Sequence, residues 1–462
     1  MDKAILIGLI LAAVSLILVS GCKQKANIKD DDHAQFNSEV IHPEWSKNIN
    51  IYEVNVRQFT EEGTFKAFEN HLPRLKELAI DVLWFMPINP IGEINRKGEL
   101  GSYYSVKDYM DVNPEFGNLD DFKELIEQTH DMGFHILIDW VPNHSSWDNP
   151  IAKEHPEWYI KDSTGSFIPP LGTDWTDVIQ LDWSQQGLQD YMIEAFKFWV
   201  NLGVDGFRVD HPHKTPPEFW ERVRVELDEI KPVLMLAENE DQLEFMKKGF
   251  DMNYAWELHH IMNDVAQGKK NTRDLVKYFN KENKTYPNNV YRLRFMTNHD
   301  ENSWAGTINE RMGEAQKALA VFTFTIPGVP LIYNGQEACL DKRLKFFERD
   351  PIAWDECELT GFYKDLIKLK KDNIALWNGE NGGSMNLIKT FRNKRIFAFS
   401  REKDNNKIVV FLNLSNNTTR IKPNLKDLGG SYTDFTSGKE ISFPLKDSLN
   451  LGTWDYKVLI QK

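Results

Sequence analysis

The 462-residue sequence has few cysteines and no excess of basic residues. Its formal net charge of −14 argues against a nucleic-acid partner, because a phosphate-binding surface needs more Lys and Arg than Asp and Glu. A neutral ligand is more compatible with this net charge than a nucleic acid is. Of the three cysteines, Cys339 and Cys357 could pair in an oxidising periplasm or remain free, and the sequence does not decide between these states.

Long apolar runs are also scarce, and one of them lies at the N-terminus. Lys3 precedes the apolar residues 4–19, and Ser20, Gly21 and Cys22 follow. This length and small-residue ending are typical of an export signal rather than of a membrane span. Residues 18–22 also resemble a bacterial lipobox, which implies cleavage before Cys22 and lipidation of its sulfur. The alternative is an ordinary cleaved signal with a chance cysteine.

The segment after the apolar run is polar and includes three consecutive aspartates at 30–32, as expected of a solvated tether. We therefore predict a signal peptide over residues 1–22 and a tether over 23–44. With lipidation at Cys22, the mature protein would be exported and lipid-anchored to a bacterial membrane, in the periplasm or at the cell surface.

The remaining sequence is long enough for a large core. Its 41% hydrophobic and 12% aromatic content predicts one barrel-sized domain together with a smaller one. The sequence contains fourteen Trp residues, which is a large number. Exposed Trp and Tyr suit a sugar-stacking surface, although most Trp residues in any protein belong to the core.

From Ile49 onward, strand-like runs alternate with segments of helical periodicity. The strand-like runs are residues 51–56, 81–87, 135–141, 204–210, 233–237, 291–296 and 329–333. Most of these runs are apolar throughout, which predicts a parallel sheet covered on both faces. About eight such units close a (β/α)8 TIM barrel, whose active site is built from the C-terminal ends of the strands.

Two segments depart from this alternation. Residues 145–181 are rich in Pro, Gly, Trp and Asp without a clear helical period, so we predict a long excursion from the third strand rather than a simple connector. Beyond about residue 379 the period becomes two, which predicts a small antiparallel β-sandwich over residues 379–462. The barrel, with its insertion, is then assigned to residues 45–378.

The strand that ends at Asp210 carries the first chemical signal. Side chains alternate between faces along a strand, so Arg208 and Asp210 share one face, and the cation favours the ionised carboxylate. A structural ion pair at a strand end is the plainer interpretation. Acids also follow other predicted strands, at Asp139, Glu238 and Asp300, and acids at several strand ends of one barrel are hard to explain by folding alone.

Four segments give these residues a context. They are Asp-Trp-Val-Pro-Asn-His at 139–144, Gly-Phe-Arg-Val-Asp at 206–210, Ala-Glu-Asn at 237–239 and Phe-Met-Thr-Asn-His-Asp at 295–300. In this order they resemble the four conserved regions of the α-amylase superfamily, glycoside hydrolase family 13. The resemblance extends to residues 101–109 and 332–337, and it covers the chain from about Trp45 to the C-terminus.

The resemblance implies a role for each matching residue. Asp210 matches the nucleophile, Glu238 the general acid/base, and Asp300 the third acid, which grips substrate hydroxyls. Further matches concern sugar binding: His144 and His299 hydrogen-bond the sugar, Tyr104 stacks on it, and Arg208 orients the nucleophile. Residues 145–181 match the family's domain B, and the tail matches its domain C.

The sequence also departs from the family pattern. Many members carry Lys and then His three and four positions after the nucleophile, where they contact the sugar beyond the cut, whereas this sequence has His213 and Lys214. The swapped order leaves the contacts of the leaving-group subsite open. Asn143 matches a ligand of the family's structural Ca²⁺, but the short insertion offers no obvious full set of oxygen ligands. We expect no cofactor for the chemistry itself.

The resemblance therefore predicts a retaining hydrolase of α-glucosidic bonds in starch-like glucans or maltooligosaccharides. Such chemistry needs an ionised nucleophile and a protonated acid about 5 to 5.5 Å apart. Apolar residues before Glu238 and two nearby acids would favour its protonated form. Two alternatives are a transglycosylase with the same three acids and a glucan-binding lipoprotein without chemistry, although the intact acids argue against the latter.

Overall fold

The computed structural model describes residues 36–355, 357–390, 394–421, 428–445 and 448–461. The predicted signal peptide, the lipidation site at Cys22 and residues 23–35 of the predicted tether lie outside this described part. Within it, no helix has both the length and the apolar character that a membrane crossing needs.

Strands and helices alternate over the first three quarters of the chain. The strands are β1 (Ile51–Val54), β2 (Val82–Phe85), β3 (His135–Trp140), β4 (His144–Ser146), β5 (Val178–Gln180), β6 (Gly206–Val209), β7 (Leu234–Ala237), β8 (Met252–Tyr254), β9 (Tyr291–Arg294), β10 (Val329–Tyr333), β11 (Met385–Leu387), β12 (Ile396–Lys403), β13 (Asn406–Asn413), β14 (Thr419–Ile421), β15 (Gly430–Asp434), β16 (Glu440–Phe443), β17 (Leu449–Leu451) and β18 (Tyr456–Gln461). The helices are α1 (Val56–Phe59), α2 (Phe65–Glu69), α3 (Leu72–Glu77), α4 (Leu119–Asp131), α5 (Pro150–Glu154), α6 (Gln186–Leu202), α7 (Pro217–Asp228), α8 (Phe245–Lys248), α9 (Trp256–Ala266), α10 (Thr272–Thr285), α11 (Ile308–Met312), α12 (Gln316–Thr325) and α13 (Glu358–Asp372).

Eight strands form a closed parallel barrel in the order β1, β2, β3, β6, β7, β8, β9 and β10, with β10 pairing back to β1. The predicted TIM barrel is thus confirmed. Side chains such as Trp84, Leu137 and Leu236 fill its interior, while the outward faces of the strands pack against the helices. Because the interior is packed, ligands have access only at the ends of the strands.

The sixth barrel strand, β8, is missing from the runs that the sequence predicted. It has only three residues, and the polar Asn253 occupies its centre. Asn253 is nevertheless fully buried and accepts a hydrogen bond from Arg292 of β9. A run this short, with an amide in the middle, carries neither of the periodicities that identify elements in a sequence.

One glycine allows two strands that lead into the site to approach closely. A Cβ atom on Gly206 of β6 would lie 2.0 Å from the carbonyl oxygen of Leu234 in β7. No side chain can occupy that space without moving the backbone. Gly206 therefore permits the spacing at which β6 and β7 pair in register.

The insertion after β3 and the C-terminal region each have their own sheet. In the insertion, β4 pairs antiparallel with β5, and α5 lies between them in sequence. In the C-terminal region, β11, β12, β13, β18, β15 and β16 form an antiparallel sheet in that order, and β14 pairs with β17. These sheets agree with the predicted β-sandwich, whereas the exact domain limits stay predictions.

The structure joins Cys339 and Cys357 in a disulfide, which the sequence had left open. The bond closes the segment that follows β10 and precedes α13. A crosslink of this kind limits the conformations of the intervening loop. That loop carries Phe346 and Phe347, which line the cavity described next.

Candidate active site

The register between β6 and β7 brings two acids from distant parts of the sequence together. Arg208 pairs with Leu236 and Val209 with Ala237, so Asp210 and Glu238 each follow directly at the C-terminal ends of adjacent strands. Their carboxylates offer oxygen atoms within 4.8 Å of each other. Both residues are largely buried. Oxygen atoms this near to each other fit the short carboxylate spacing, about 5 to 5.5 Å, that characterises retaining glycosidases.

Arg208 is the cation between these acids, and it is completely buried. Its Nη1 donates to Asp139 at 2.8 Å and to Asp210 at 3.1 Å, and its Nη2 lies 2.8 Å from Glu238 Oε2. The pairing with Asp210 is the one expected from strand alternation. The contact with Glu238 is additional, so the surroundings of Glu238 are less apolar than the sequence predicted.

A hydrogen-bonded chain connects Arg208 to the far side of the site. Asp139 Oδ2 accepts from the indole of Trp84 at 3.3 Å and from the Tyr104 hydroxyl at 3.1 Å. His299 Nε2 lies 2.7 Å from the same hydroxyl, and His299 Nδ1 lies 2.5 Å from Glu53 Oε1. The chain therefore ends at a buried carboxylate on the first barrel strand.

The donors of this chain fix the protonation of His299. Since the Tyr104 hydroxyl gives its only proton to Asp139, its oxygen must accept from His299 Nε2–H. The Glu53 carboxylate accepts from Nδ1–H, so both ring nitrogens donate and the imidazole is cationic. Burial lowers the pKa of His299, but the carboxylates of Asp300 and Glu53 outweigh burial and raise that pKa to about 9.

Burial has the opposite consequence for the acids of this chain. It raises the pKa of Asp139 to about 7, against the stabilising charge of Arg208. It also raises the pKa of Glu53, which His299 partly offsets. Without their cationic neighbours, the pKa of both carboxyl groups would be higher still.

A cavity of about 530 Å³ opens at this end of the barrel. Asp210, Asp300, Tyr104 and His144 line it. Asp300 is the most exposed of the three predicted acids, with a side chain that is 39% accessible.

Burial lowers the pKa of His144 to about 4, so its imidazole is neutral at pH 7. Because its Nδ1 faces the Asn143 amide at 3.2 Å, the proton resides on Nε2.

His213 and Lys214 lie outside the lining of this cavity. They are exposed in a short turn after β6, and the residue that lines the cavity is His211. The backbone of His211 has a φ of +35°, a conformation that costs a non-glycine residue energy and often marks a functional site. Its amide donates to Glu238 Oε2 at 3.3 Å, and the Glu238 carboxylate raises the pKa of His211.

The surroundings of Asn143 do not fit a Ca²⁺ ion. The side-chain amide of Gln180 donates to the Asn143 carbonyl at 2.8 Å, to Asn143 Oδ1 at 3.2 Å and to the Leu181 carbonyl at 3.3 Å. Three oxygens thus surround an N–H donor at the place where a cation would need them. Asp210, His211 and Glu238 also converge, but Arg208 already supplies the positive charge between the two acids.

We therefore expect the stability of the protein to be independent of Ca²⁺. The melting temperature of the wild type should stay within about 1 °C when EDTA or CaCl2 is added. The Gln180→Glu variant should melt at a lower temperature, because a carboxylate among three carbonyl oxygens needs a cation. Addition of CaCl2 should restore the stability of this variant. Differential scanning fluorimetry measures both. A marked drop of the wild-type melting temperature in EDTA would contradict the expectation.

Several residues of the site carried no clear sequence signal. Glu53 lies inside an apolar strand. Because a buried acid needs a partner, its position alone could have suggested a role in the site. His211 directly follows the nucleophile position, and Trp175 lies within the irregular insertion. Trp304 and Phe346 also line the cavity, but they come from segments without any motif.

Comparisons with known proteins agree with this geometry. A sequence profile described as the alpha-amylase catalytic domain matches residues 37–161 and 152–374. The chain is 26% identical over 462 aligned positions to Alpha-amylase 2 of Dictyoglomus thermophilum, which covers 91% of this chain and 77% of that protein. It is 29% identical to an alpha-amylase from Lactobacillus plantarum of known crystal structure, with a TM-score of 0.82 and coverage of 90% of this chain and 100% of that chain. It is also 27% identical over 409 positions to the alpha-1,4-glucan:maltose-1-phosphate maltosyltransferase of Picrophilus torridus, which covers 81% of this chain and 62% of that protein.

Proposed function

Since this chain belongs to the α-amylase catalytic-domain family, we propose that it is a retaining glycoside hydrolase that cuts α-glucosidic bonds in starch-like glucans or maltooligosaccharides. The observation that carries the proposal is the pair of carboxylates of Asp210 and Glu238, within 4.8 Å of each other beside an open cavity. An inverting enzyme would need about 6.5 to 9.5 Å between them to admit a water molecule.

In the first step, Asp210 attacks the anomeric carbon while Glu238 gives its proton to the glycosidic oxygen. The bond between that carbon and oxygen breaks, a covalent glycosyl ester forms on Asp210, and the leaving sugar departs with the proton. Arg208 holds the attacking carboxylate through its contact at 3.1 Å. In the second step, Glu238 takes a proton from water, which displaces Asp210 and restores the free enzyme.

The remaining residues bind the sugar in which positive charge develops. Asp300 faces the cavity with an exposed carboxylate, which suits hydrogen bonds to hydroxyl groups. The neutral His144 can donate from Nε2, and Tyr104 supplies a flat ring for a pyranose. Arg208 offsets part of the negative charge of the surrounding acids, so that several carboxylates can share one site.

Product stereochemistry tests the mechanism. We expect proton nuclear magnetic resonance of a fresh digest of maltooligosaccharides to show the α-anomer first, with the β-anomer growing later by mutarotation, because two displacements retain configuration. Initial appearance of the β-anomer would exclude Asp210 as a covalent nucleophile. A product time course on soluble starch, pullulan and short maltooligosaccharides would define the preferred linkage and chain length.

Transfer of the glycosyl group is the second candidate, because several relatives are named maltosyltransferases. Both reactions share the glycosyl ester on Asp210 and differ in whether water or another sugar accepts it. The two candidates are separated by the products from a single maltooligosaccharide. Hydrolysis gives only shorter chains with new reducing ends, whereas transfer also gives longer chains and conserves the number of reducing ends.

We also propose that the protein is exported and anchored to a bacterial membrane through lipid on Cys22, which the lipobox-like residues 18–22 support. Cys22→Ala should move the protein from the membrane fraction to the soluble fraction, because the remaining tether is polar. Cell fractionation followed by immunoblotting measures this, with Cys339→Ala as a control that changes a cysteine elsewhere. Membrane association that persists in Cys22→Ala would contradict lipid anchoring.

A further inference from the structure

The loop that follows β7 carries Glu238 and needs contacts that hold it in place. The backbone amide of Glu238 donates to the Val209 carbonyl at 2.9 Å. The side chain of the next residue, Asn239, has a buried amide oxygen and nitrogen that find no hydrogen-bond partner in the described part of the chain. Such atoms do not stabilise a conformation, because their bonds to water are lost and not replaced. The side-chain contacts that hold the loop beyond Glu238 therefore begin at Glu240.

Glu240 joins this loop to neighbouring elements of the barrel. Its Oε1 pairs with the guanidinium of Arg292 on β9. Its Oε2 accepts from the backbone amide of Glu257 at 2.7 Å, in the first turn of α9, where free amide groups favour a carboxylate. The carbonyl of Glu240 accepts from the Tyr286 hydroxyl at 2.7 Å. Three contacts thus fix the residue that lies two positions after the acid/base.

Arg292 is itself held in a buried network. Its guanidinium lies 4.0 Å from the centre of the Tyr286 ring. It also donates to Asn253 of β8 and, at 3.1 Å, to Glu282 of α10. A side chain with this many fixed partners has little freedom to move. Because the network joins β8, β9 and α10, a contact with Arg292 ties the loop of Glu238 to the barrel wall.

Glu240 lies away from the sugar. It is not among the residues that line the catalytic cavity, and it faces a separate cavity of about 200 Å³ together with Tyr286 and Arg292. Its side chain is only 17% exposed. An effect of Glu240 on the reaction must therefore pass through the loop to Glu238.

We propose that Glu240 is a positioning residue for Glu238. Its contacts with Arg292 and α9 keep the Glu238 carboxyl group where it protonates the glycosidic oxygen. A displacement of about 1 Å in a reacting group lowers a rate by up to about a hundredfold. This inference rests on the proposed function, since it concerns the first step of that reaction. It holds equally whether water or a sugar then accepts the glycosyl group.

The leaving group of the substrate tests this position. A glycosidic oxygen needs the proton of Glu238, whereas the fluorine of α-maltosyl fluoride departs as fluoride ion when the ester forms on Asp210. In Glu240→Gln, a single amide oxygen cannot accept from both Arg292 and the α9 amide, so one contact is lost. We expect kcat/KM to fall about tenfold to a hundredfold for maltohexaose and less than about twofold for α-maltosyl fluoride.

Two further variants calibrate this comparison. Glu238→Gln removes the acid itself, so it should show the same dependence on the leaving group with a larger loss on maltohexaose. Glu244→Gln is the matched control, because Glu244 lies four positions after Glu240 and its exposed carboxylate only pairs with Lys247 at 2.5 Å. This control should leave kcat/KM unchanged for both substrates.

Tyr286→Phe provides a second and milder test. It removes the hydroxyl that donates to the Glu240 carbonyl and leaves both contacts of the Glu240 carboxylate in place. We expect kcat/KM for maltohexaose to fall about threefold to fivefold, with no change for α-maltosyl fluoride. This variant decides the question if thermal melts show that Glu240→Gln is unfolded at the assay temperature.

The outcomes separate this inference from the proposed function. With an active wild type, equal losses on the two substrates would indicate a general structural role and overturn the positioning of Glu238 by Glu240. Unchanged kcat/KM for maltohexaose would overturn it as well. A wild type that releases neither sugar from maltohexaose nor fluoride from α-maltosyl fluoride would instead refute the proposed function, and this inference with it.

Discussion

Replacing Asp210 with Asn is expected to lower kcat by on the order of 10⁴ or more, the scale found when a covalent nucleophile is removed. The amide cannot form the glycosyl ester, and it brings no negative charge to the developing cation. The fold should persist, because Asn has the same shape and its oxygen can still accept from Arg208 Nη1. Arg208 also keeps its contacts with Asp139 through Nη1 and with Glu238 through Nη2. Initial rates on maltohexaose and a thermal melt measure the two effects.

Asp190→Asn provides the matched control for this substitution. Asp190 lies on the outer helix α6, where its carboxylate pairs with Arg222 at 2.6 Å on the surface. Losing such a pair should change stability by less than about 1 kcal/mol and leave the rate unaltered. A rate of Asp210→Asn close to that of the wild type would remove the nucleophile assignment and, with it, the proposed mechanism.

Replacing Glu53 with Gln is expected to lower the upper pH limit of activity. Glu53 is one of the two carboxylates that hold the pKa of His299 at about 9, so losing its charge should bring that pKa down toward the ordinary value of about 6.5. At pH 8 we expect kcat/KM to fall about tenfold relative to the wild type, because His299 then loses the proton that it donates to Tyr104. At pH 6 the difference should stay within about threefold.

The same pair predicts how stability depends on pH. The pKa of His299 is higher in the folded protein than the value of about 6.5 in an unfolded chain. Its ionic interaction with Glu53 and Asp300 therefore contributes stability fully below about pH 6.5, and this contribution is lost as the pH rises through about 9. Glu53→Gln should flatten this alkaline loss of stability.

The profile of kcat/KM against pH, together with His side-chain resonances, measures these changes. Glu157→Gln is the control, since it removes a carboxylate from an exposed pair with His155 at 3.1 Å. If the alkaline limb of Glu53→Gln matches that of the wild type, Glu53 does not control the charge of His299. A uniform loss at every pH would indicate only a structural role.

Much of the architecture could be predicted from the sequence, because local patterns of hydrophobic residues determine it. Apolar runs of strand length alternating with helical segments predicted the barrel, and the change to a period of two predicted the antiparallel C-terminal sheet. The strand β8 was not predicted, because a strand of three residues around Asn253 is too short to show a hydrophobic periodicity. The motifs that resemble a known family named Asp210, Glu238 and Asp300, but they could not supply a distance.

By itself, the sequence determined which residue types stand at the strand ends and which segments form strands and helices. Only the tertiary structure decided that Arg208 contacts the carboxylates of both Asp210 and Glu238. It also decided that Glu53 reaches His299 across 246 positions of chain, and that Gln180 donates to the oxygens around Asn143. These contacts join residues far apart in sequence, and they depend on how strands pair and how loops return to the barrel. Side-chain charge and hydrogen bonding act through space, so their outcome follows from the closed barrel rather than from order along the chain.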